Sequence, residues 1–181
     1  MKVRLPDRSF KKGLVQVYTG DGKGKTTAAL GLALRALGQG LRVYVIQFMK
    51  GVPYGELNLL RTLPNISIIQ FGNPQWVDPD NISEEERLRA QQGFDHAKEV
   101  IHSSKYDIVI LDEINVAVSL KLLPLEPVLD LIRSRPEKVE LVLTGRSAAQ
   151  EVVELADLVT EMRLVKHPFE KKIGARRGIE Y

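Results

Sequence analysis

The sequence predicts an α/β fold, a mostly parallel sheet covered by helices on both faces, and three observations predict it. Six short β-rich runs are spaced along the chain, most of them are continuously apolar rather than alternating, and helical patterns stand between them. Continuous apolar runs suit strands buried on both faces, and the strand–helix alternation supplies the helices that bury them.

The first run, Leu14 to Thr19, meets the glycine-rich turn Gly20-Asp21-Gly22-Lys23-Gly24 and then a helical pattern from Lys25 to Leu37. Gly38 and Gly40 can end that helix. Gly31 inside it costs ~1 kcal/mol relative to alanine, and close packing of helix on sheet is the expected reason. Strands at Arg42 to Phe48 and Ile66 to Phe71 enclose a short helix near Glu56 to Arg61. The stretch from Gly72 to Asn81 carries two prolines and Trp76, the only tryptophan. A loop of that length is either functional or a surface loop pinned by Trp76. A long helix from Ser83 to Ser103 opens with Ser83 and, three residues on, Glu86, the spacing of a capping box. Then come a strand at Asp107 to Asp112, a helix at Leu125 to Ser134 that Pro136 cannot continue, a strand at Glu140 to Thr144, a helix at Ser147 to Leu155 and a strand at Leu158 to Leu164. No internal repeat or low-complexity segment interrupts this order.

At 181 residues and 20.3 kDa the chain can bury one full core, and nothing in it marks a linker. The expectation is a short N-terminal extension, residues 1–12, and a single domain over 13–181. Hydrophobic residues at 44% and charged residues at 27% are an ordinary soluble balance. No apolar run approaches the ~18 residues that span a bilayer, and the basic N-terminus has no apolar segment behind it. The chain has no cysteine, which excludes disulfides, thiolate metal sites and thiol catalysis. These features point to a cytoplasmic protein that works without a membrane. A net charge of +3, spread along the chain, is too small to argue for nucleic acid. One local excess lies between Arg163 and Tyr181, where six Lys or Arg face two glutamates. It reads either as a solvated tail or as a second anion-binding wall.

The turn after the first strand carries the chemistry. In Gly20-Asp21-Gly22-Lys23-Gly24-Lys25-Thr26-Thr27, glycines let backbone N–H groups converge on phosphate oxygens, and the following helix adds the positive end of its dipole. Lys25 supplies a point charge, and Thr26 can hold a magnesium ion. The usual spacing wants glycine where Thr19 stands, so the match is close rather than complete. A bare glycine-rich turn could be only a connection, but Gly-Lys-Thr-Thr at a helix start behind an apolar strand points to a nucleoside triphosphate. The expected fold is therefore P-loop NTPase-like, of the RecA-like kind. Asp112 and Glu113 end the fourth strand at the same sheet edge, where they can orient Mg²⁺ or its waters. Arg146, in the Gly-Arg turn after the fifth strand, can reach phosphate with its planar fork. Arg35, late in the first helix, reads from the residues alone as solvated or salt-bridged.

Several segments together resemble a known family. The loop Thr19 to Ala28, Gln47-Phe48-Met49-Lys50-Gly51 with Gly55-Glu56, the Asp112-Glu113 pair, Thr144-Gly145-Arg146, and the ending Val165-Lys166-His167-Pro168-Phe169 with Gly178-Ile179-Glu180-Tyr181 are similar to the ATP:corrinoid adenosyltransferases of bacterial cobalamin biosynthesis and salvage. The resemblance runs from about Gly13 to Tyr181. It implies that Co(I) of a corrinoid attacks the 5′ carbon of ATP and expels triphosphate, so that the loop grips a leaving group and no side-chain nucleophile is needed. It implies ATP as co-substrate, held by Gly20 to Thr27, Arg35 and Arg146, with Mg²⁺ on Thr26, Glu113 and Asp112. Lys25, Thr26 and Glu113 are the catalytic set it implies. Trp76, Phe71 and His167 are its corrinoid-side candidates. A reduced flavoprotein such as flavodoxin as electron donor and a homodimer are the partners it implies. One departure stands out: the family places a Phe-x-Trp pair after the third strand to displace the lower axial ligand of cobalt, and here the segment reads Pro74-Gln75-Trp76. A P-loop phosphotransferase or NTP hydrolase, and a nucleotide-binding switch without chemistry, remain the alternatives from the residues alone. The corrinoid itself, whether cobalamin, cobinamide or an a,c-diamide precursor, is left open.

Overall fold

The computed structural model describes residues 11–179 apart from Pro53, Gln75 and Trp76. Six parallel strands, β1 Val15–Thr19, β2 Val43–Phe48, β3 Ile66–Phe71, β4 Ile108–Asp112, β5 Glu140–Thr144 and β6 Leu158–Glu161, form one sheet in the order β3-β2-β4-β5-β1-β6. Helices α1 Lys25–Gly38 and α2 Gly55–Leu60 cover one face, and α3 Glu84–His102, α4 Ile114–Ser119, α5 Leu125–Ser134 and α6 Gln150–Leu155 cover the other. β4 and β5 are buried at every residue, which explains their unbroken apolar runs. No helix among the described residues is long and apolar enough to cross a membrane.

Three features differ from the sequence reading. The last strand stops at Glu161 rather than Leu164, because its one partner, β1, ends at Thr19, which is in register with Glu161. α4 has no counterpart in that reading: Ile-Asn-Val-Ala-Val-Ser is rich in β-branched residues, and its six residues turn helical beside a tertiary contact surface. Gly31 does not pack on the sheet. It is exposed, and a Cβ built there meets nothing within 4 Å, so close packing is not the reason for glycine.

The local signals at helix ends act as their chemistry suggests. Ser83 and Glu86 form a reciprocal capping box on α3. Gly40, at φ 77°, follows α1, and the N–H groups of Gly40 and Leu41 close on the carbonyls of Leu37 and Ala36. α6 begins three residues later than the pattern implied, after Ser147 turns at φ 58°.

The strand order positions the site. Helix α1 leaves β1 and returns to β2, crossing over β5 and β4 on the way. Its N-terminus therefore faces the carboxyl end of β4, and the end of β2 lies against β4 from the other side. Residues far apart in sequence meet at one sheet edge for that reason.

Candidate nucleotide site and the cavity beside it

The glycine-rich loop is clamped against the end of β6. The Gly22 N–H donates to the Met162 carbonyl at 2.6 Å, and the Met162 N–H donates to the Thr19 carbonyl at 2.8 Å. A Cβ on Gly20 or Gly22 would lie 2.6 Å from the Met162 oxygen, so no larger residue fits either position without moving backbone. Gly24 caps α1 at φ 114° and brings no side-chain oxygen to the first turn. The helix thus presents first-turn N–H groups that no capping side chain satisfies, the arrangement that receives an anion.

Lys25 is 8% exposed and turns back into the loop, its Nζ donating to the carbonyls of Gly20 at 2.6 Å and Gly22 at 2.7 Å. Burial lowers its pKa, opposed by the nearby Glu113 carboxylate. Thr26 points instead to the end of β4, where its hydroxyl donates to Asp112 Oδ1 at 2.8 Å.

Asp112 is the hub of this edge. It is 1% exposed, and its carboxylate also accepts from Thr144 Oγ1 at 2.6 Å, Gln47 Nε2 at 3.0 Å and Lys50 Nζ at 2.7 Å. Lys50 donates to Thr26 Oγ1 as well, at 3.2 Å. Burial opposes charge on Lys50, but the adjacent Asp112 outweighs it and raises the lysine pKa. Glu113 adopts φ 65°, caps α4, and donates its N–H to Thr144 Oγ1 at 3.0 Å. Burial raises the Glu113 pKa, and the neighbouring Asp112 charge raises it further. Two acids that could not be ranked from sequence thus differ clearly. Asp112 is ringed by donors, whereas Glu113 lines open space.

That space is two adjoining cavities. One, of about 600 Å³, is lined by the loop residues Asp21 to Thr27. The other, of about 490 Å³, is lined by Phe48, Val52, Val77, Val116 and Leu120 among others. Lys25, Lys50, Tyr54, Glu113 and Arg146 line both, so charged groups and one aromatic ring form the boundary.

The structure brings together Gly20, Asp21, Gly22, Lys23, Gly24, Lys25, Thr26, Thr27, Asp112, Glu113 and Arg146. Other candidates lie elsewhere. Arg35 is exposed in the last turn of α1, roughly 15 Å along the axis from Lys25 at 1.5 Å per residue, and lines neither cavity. Phe71 packs its ring against α3, where a Cβ on Gly93 would lie 3.0 Å from it and the His96 ring centroid is 5.8 Å away, so it does not line the apolar cavity. His167 lies on the phosphate cavity rather than the apolar one, and its Nδ1 accepts the Phe169 N–H at the start of a single 3₁₀ turn, Pro168–Lys171. Trp76 lies outside the described residues. From the basic tail, Gly178 and Ile179 line the phosphate cavity and the Lys23 ammonium donates to the Ile179 carbonyl at 3.0 Å, while the tail's own Lys and Arg line neither cavity. Sequence reasoning missed Lys50, Tyr54 and Gln47 as site residues. Lys50 and Gln47 stood within a quoted segment, but only the β2–β4 pairing shows what they meet.

A phosphate loop at the end of β1, an acid-tipped neighbouring strand and a parallel sheet define a P-loop α/β protein built for a nucleoside triphosphate, with an apolar cavity against its phosphate end. The family described as ATP:corrinoid adenosyltransferase BtuR/CobO/CobP matches residues 11–181. A corrinoid adenosyltransferase of Escherichia coli K12 is 39% identical over 179 residues, 98% of this chain and 90% of that protein. Corrinoid adenosyltransferase CobA of Salmonella typhimurium is 37% identical over the same shares, and a corrinoid adenosyltransferase of Pseudomonas aeruginosa is 37% identical over 94% of this chain and 85% of its own. The chain belongs to the ATP:corrinoid adenosyltransferase family.

Proposed function

We propose that the protein transfers the 5′-deoxyadenosyl group of ATP to the Co(I) of a corrinoid and releases inorganic triphosphate. The observation that carries this reading is the shared wall: one set of side chains, Lys25, Lys50, Tyr54, Glu113 and Arg146, lines both the loop cavity and the apolar cavity. Triphosphate in the first would place C5′ at the wall and a corrinoid face in the second. The cobalt lone pair attacks C5′, the C5′–O5′ bond breaks, and its electron pair leaves on the triphosphate. Cobalt ends two electrons more oxidised, in a Co–C bond. No proton moves at the reacting carbon, which fits a site without a side-chain nucleophile.

The protein's part is electrostatic. Lys25 and the loop N–H groups bind the charge that grows on the departing oxygen, and Arg146 adds a second cation at the wall. Thr26, Asp112 and Glu113 are oxygen donors that suit magnesium. Magnesium bound there would neutralise triphosphate charge, and it would also relieve the burial of Glu113 beside Asp112. Trp76 keeps the role the family resemblance implies, a part in displacing the lower axial ligand of cobalt. A homodimer and a flavoprotein electron donor belong to the same reading.

The test is direct. Protein, ATP, Mg²⁺ and chemically reduced cobalamin should give a light-sensitive Co–C product together with triphosphate. ADP and phosphate would instead place the protein among phosphotransferases or hydrolases.

A further inference from the structure

Asp112 is a buried carboxylate with four bonded partners, and among the described residues Lys50 is the one charged group bonded to it. Three of those partners are fixed. Gln47 and Thr144 are fully buried on β2 and β5, and Thr26 sits in the first turn of α1. Lys50 is different. It lies two residues beyond β2, after Met49 turns at φ 56°, and its side chain is 15% exposed. Its ammonium also lies 5.4 Å from the Tyr54 ring centroid, and the residue lines both cavities.

The atoms it holds are the ones a metal would use. Thr26 Oγ1 gives its proton to Asp112 and accepts from Lys50 on one of its two lone pairs, so a cation on this hydroxyl takes the other, beside the ammonium. A divalent ion at that lone pair and an ammonium on Asp112 Oδ2 would repel each other across a few ångströms in a poorly solvated site, which favours departure of the ammonium.

We propose that Lys50 is an exchangeable internal cation: it neutralises Asp112 and caps Thr26 until magnesium arrives with the nucleotide, then turns into the phosphate cavity to meet the triphosphate. The idea rests on the metal placement proposed above. Its consequence is coupling. Magnesium alone must displace Lys50 towards the Tyr54 ring and Glu113, itself a proposed metal ligand, whereas magnesium with ATP supplies the triphosphate as a new partner, so each ligand favours entry of the other. Lys50 is in this sense a positioning residue that makes the site selective for the metal–nucleotide pair over the free ion.

Thermal unfolding with MgCl₂ alone reads this out, without corrinoid or turnover. The wild-type protein should show little change in Tm. Lys50→Met and Lys50→Gln should unfold at lower temperature in the absence of metal, and magnesium alone should restore them, with a half-effect concentration about tenfold or more below any response of the wild type. A merely structural ion pair would lower Tm without creating a magnesium response, and that result overturns the proposal. An equal magnesium response in all three proteins overturns it as well. If neither variant folds, ¹⁵N-lysine NMR of the wild type decides: the Lys50 ammonium signal should stay in place with magnesium alone and move with magnesium plus ATP, and a signal unmoved by both contradicts the exchange. Calorimetric binding of Mg·ATP to the wild type separates the two ideas. Its absence would sink the nucleotide site itself, whereas Mg·ATP binding with unresponsive variants would sink only the role of Lys50.

Discussion

The cluster around Asp112 draws its side chains from strand ends and the first turn of α1, Gln47, Thr144 and Thr26, whereas the apolar cavity beside it draws many of its walls from connections: Gly51 and Val52 before α2, Asn73, Pro74, Val77 and Pro79 after β3, Ser147 after β5. Strand ends are placed by sheet register, so Gln47 on β2 and Thr144 on β5 both come within 3.0 Å of Asp112, where Thr26 at the start of α1 joins them, although the four span more than a hundred residues. Connections are placed by their own turns and by side-chain packing, and they tolerate change. On the proposed function the contrast becomes a division of labour, in which a rigid edge would grip the leaving group and an adjustable one would accommodate the bulky reacting partner.

The most severe way to break the comparison is at the rigid edge. Lys25→Ala should cost ~10²-fold or more in turnover while leaving the far-ultraviolet circular dichroism unchanged, because a preorganised charge is lost and a small side chain remains at a helix start. Wild-type turnover in the folded variant would remove the loop from the mechanism. On the adjustable side, Ser119→Trp introduces bulk at an exposed position on the cavity wall. The corrinoid KM should rise roughly tenfold with ATP affinity unchanged, since only the apolar cavity is narrowed. Parallel losses in both would mean the two cavities are not separable.

Trp76→Ala tests the corrinoid half of the reading. It should slow adenosylation severalfold from Co(II)-cobalamin under mild reductant while sparing the reaction from pre-reduced Co(I), because the family resemblance gives this tryptophan a part in displacing the axial ligand that hinders reduction. Equal losses in the two rates would make it a packing residue.

A smaller effect should appear as stability. The folded-state pKa of Glu113 lies above its ordinary value of 4.5. Above that raised value the folded protein holds an ionised, buried carboxylate, and the folded state is penalised; as pH falls through the raised value towards 4.5 the penalty fades. Glu113→Gln should therefore raise Tm of the ligand-free protein at neutral pH, by ~2–4 °C if about 1 kcal/mol is relieved, and the gain should shrink in acid. The opposite pH trend would contradict the assignment. Of similar size, Gly31→Ala should stabilise by about 1 kcal/mol in chemical denaturation, because the position is exposed and the added methyl meets nothing. Destabilisation would reveal a contact that the helix face does not show.

What the sequence made legible follows the same division. Strands buried on both faces announce themselves as apolar runs, and the loop announces itself because glycine is sterically required against Met162. Lys50 was illegible as a site residue for a topological reason: nothing in the chain says that β2 lies beside β4 rather than beside β1. α4 was illegible because its β-branched residues weaken the helical signal, and its helix depends on contacts from elsewhere. Phe71 and His167 were placed by sequence proximity to motifs, but Phe71 faces α3 and His167 caps a turn at the other cavity. Neither orientation follows from a neighbouring motif.

The central claim is that one shared wall joins the departure of triphosphate to the formation of a Co–C bond. The most direct measurement is the single-turnover yield of both products from the same sample of wild-type protein, ATP, Mg²⁺ and Co(I)-corrinoid. The account predicts equimolar triphosphate and light-sensitive alkylcorrinoid appearing at one rate. Triphosphate released without a matching Co–C bond, or ADP with phosphate in its place, would contradict it.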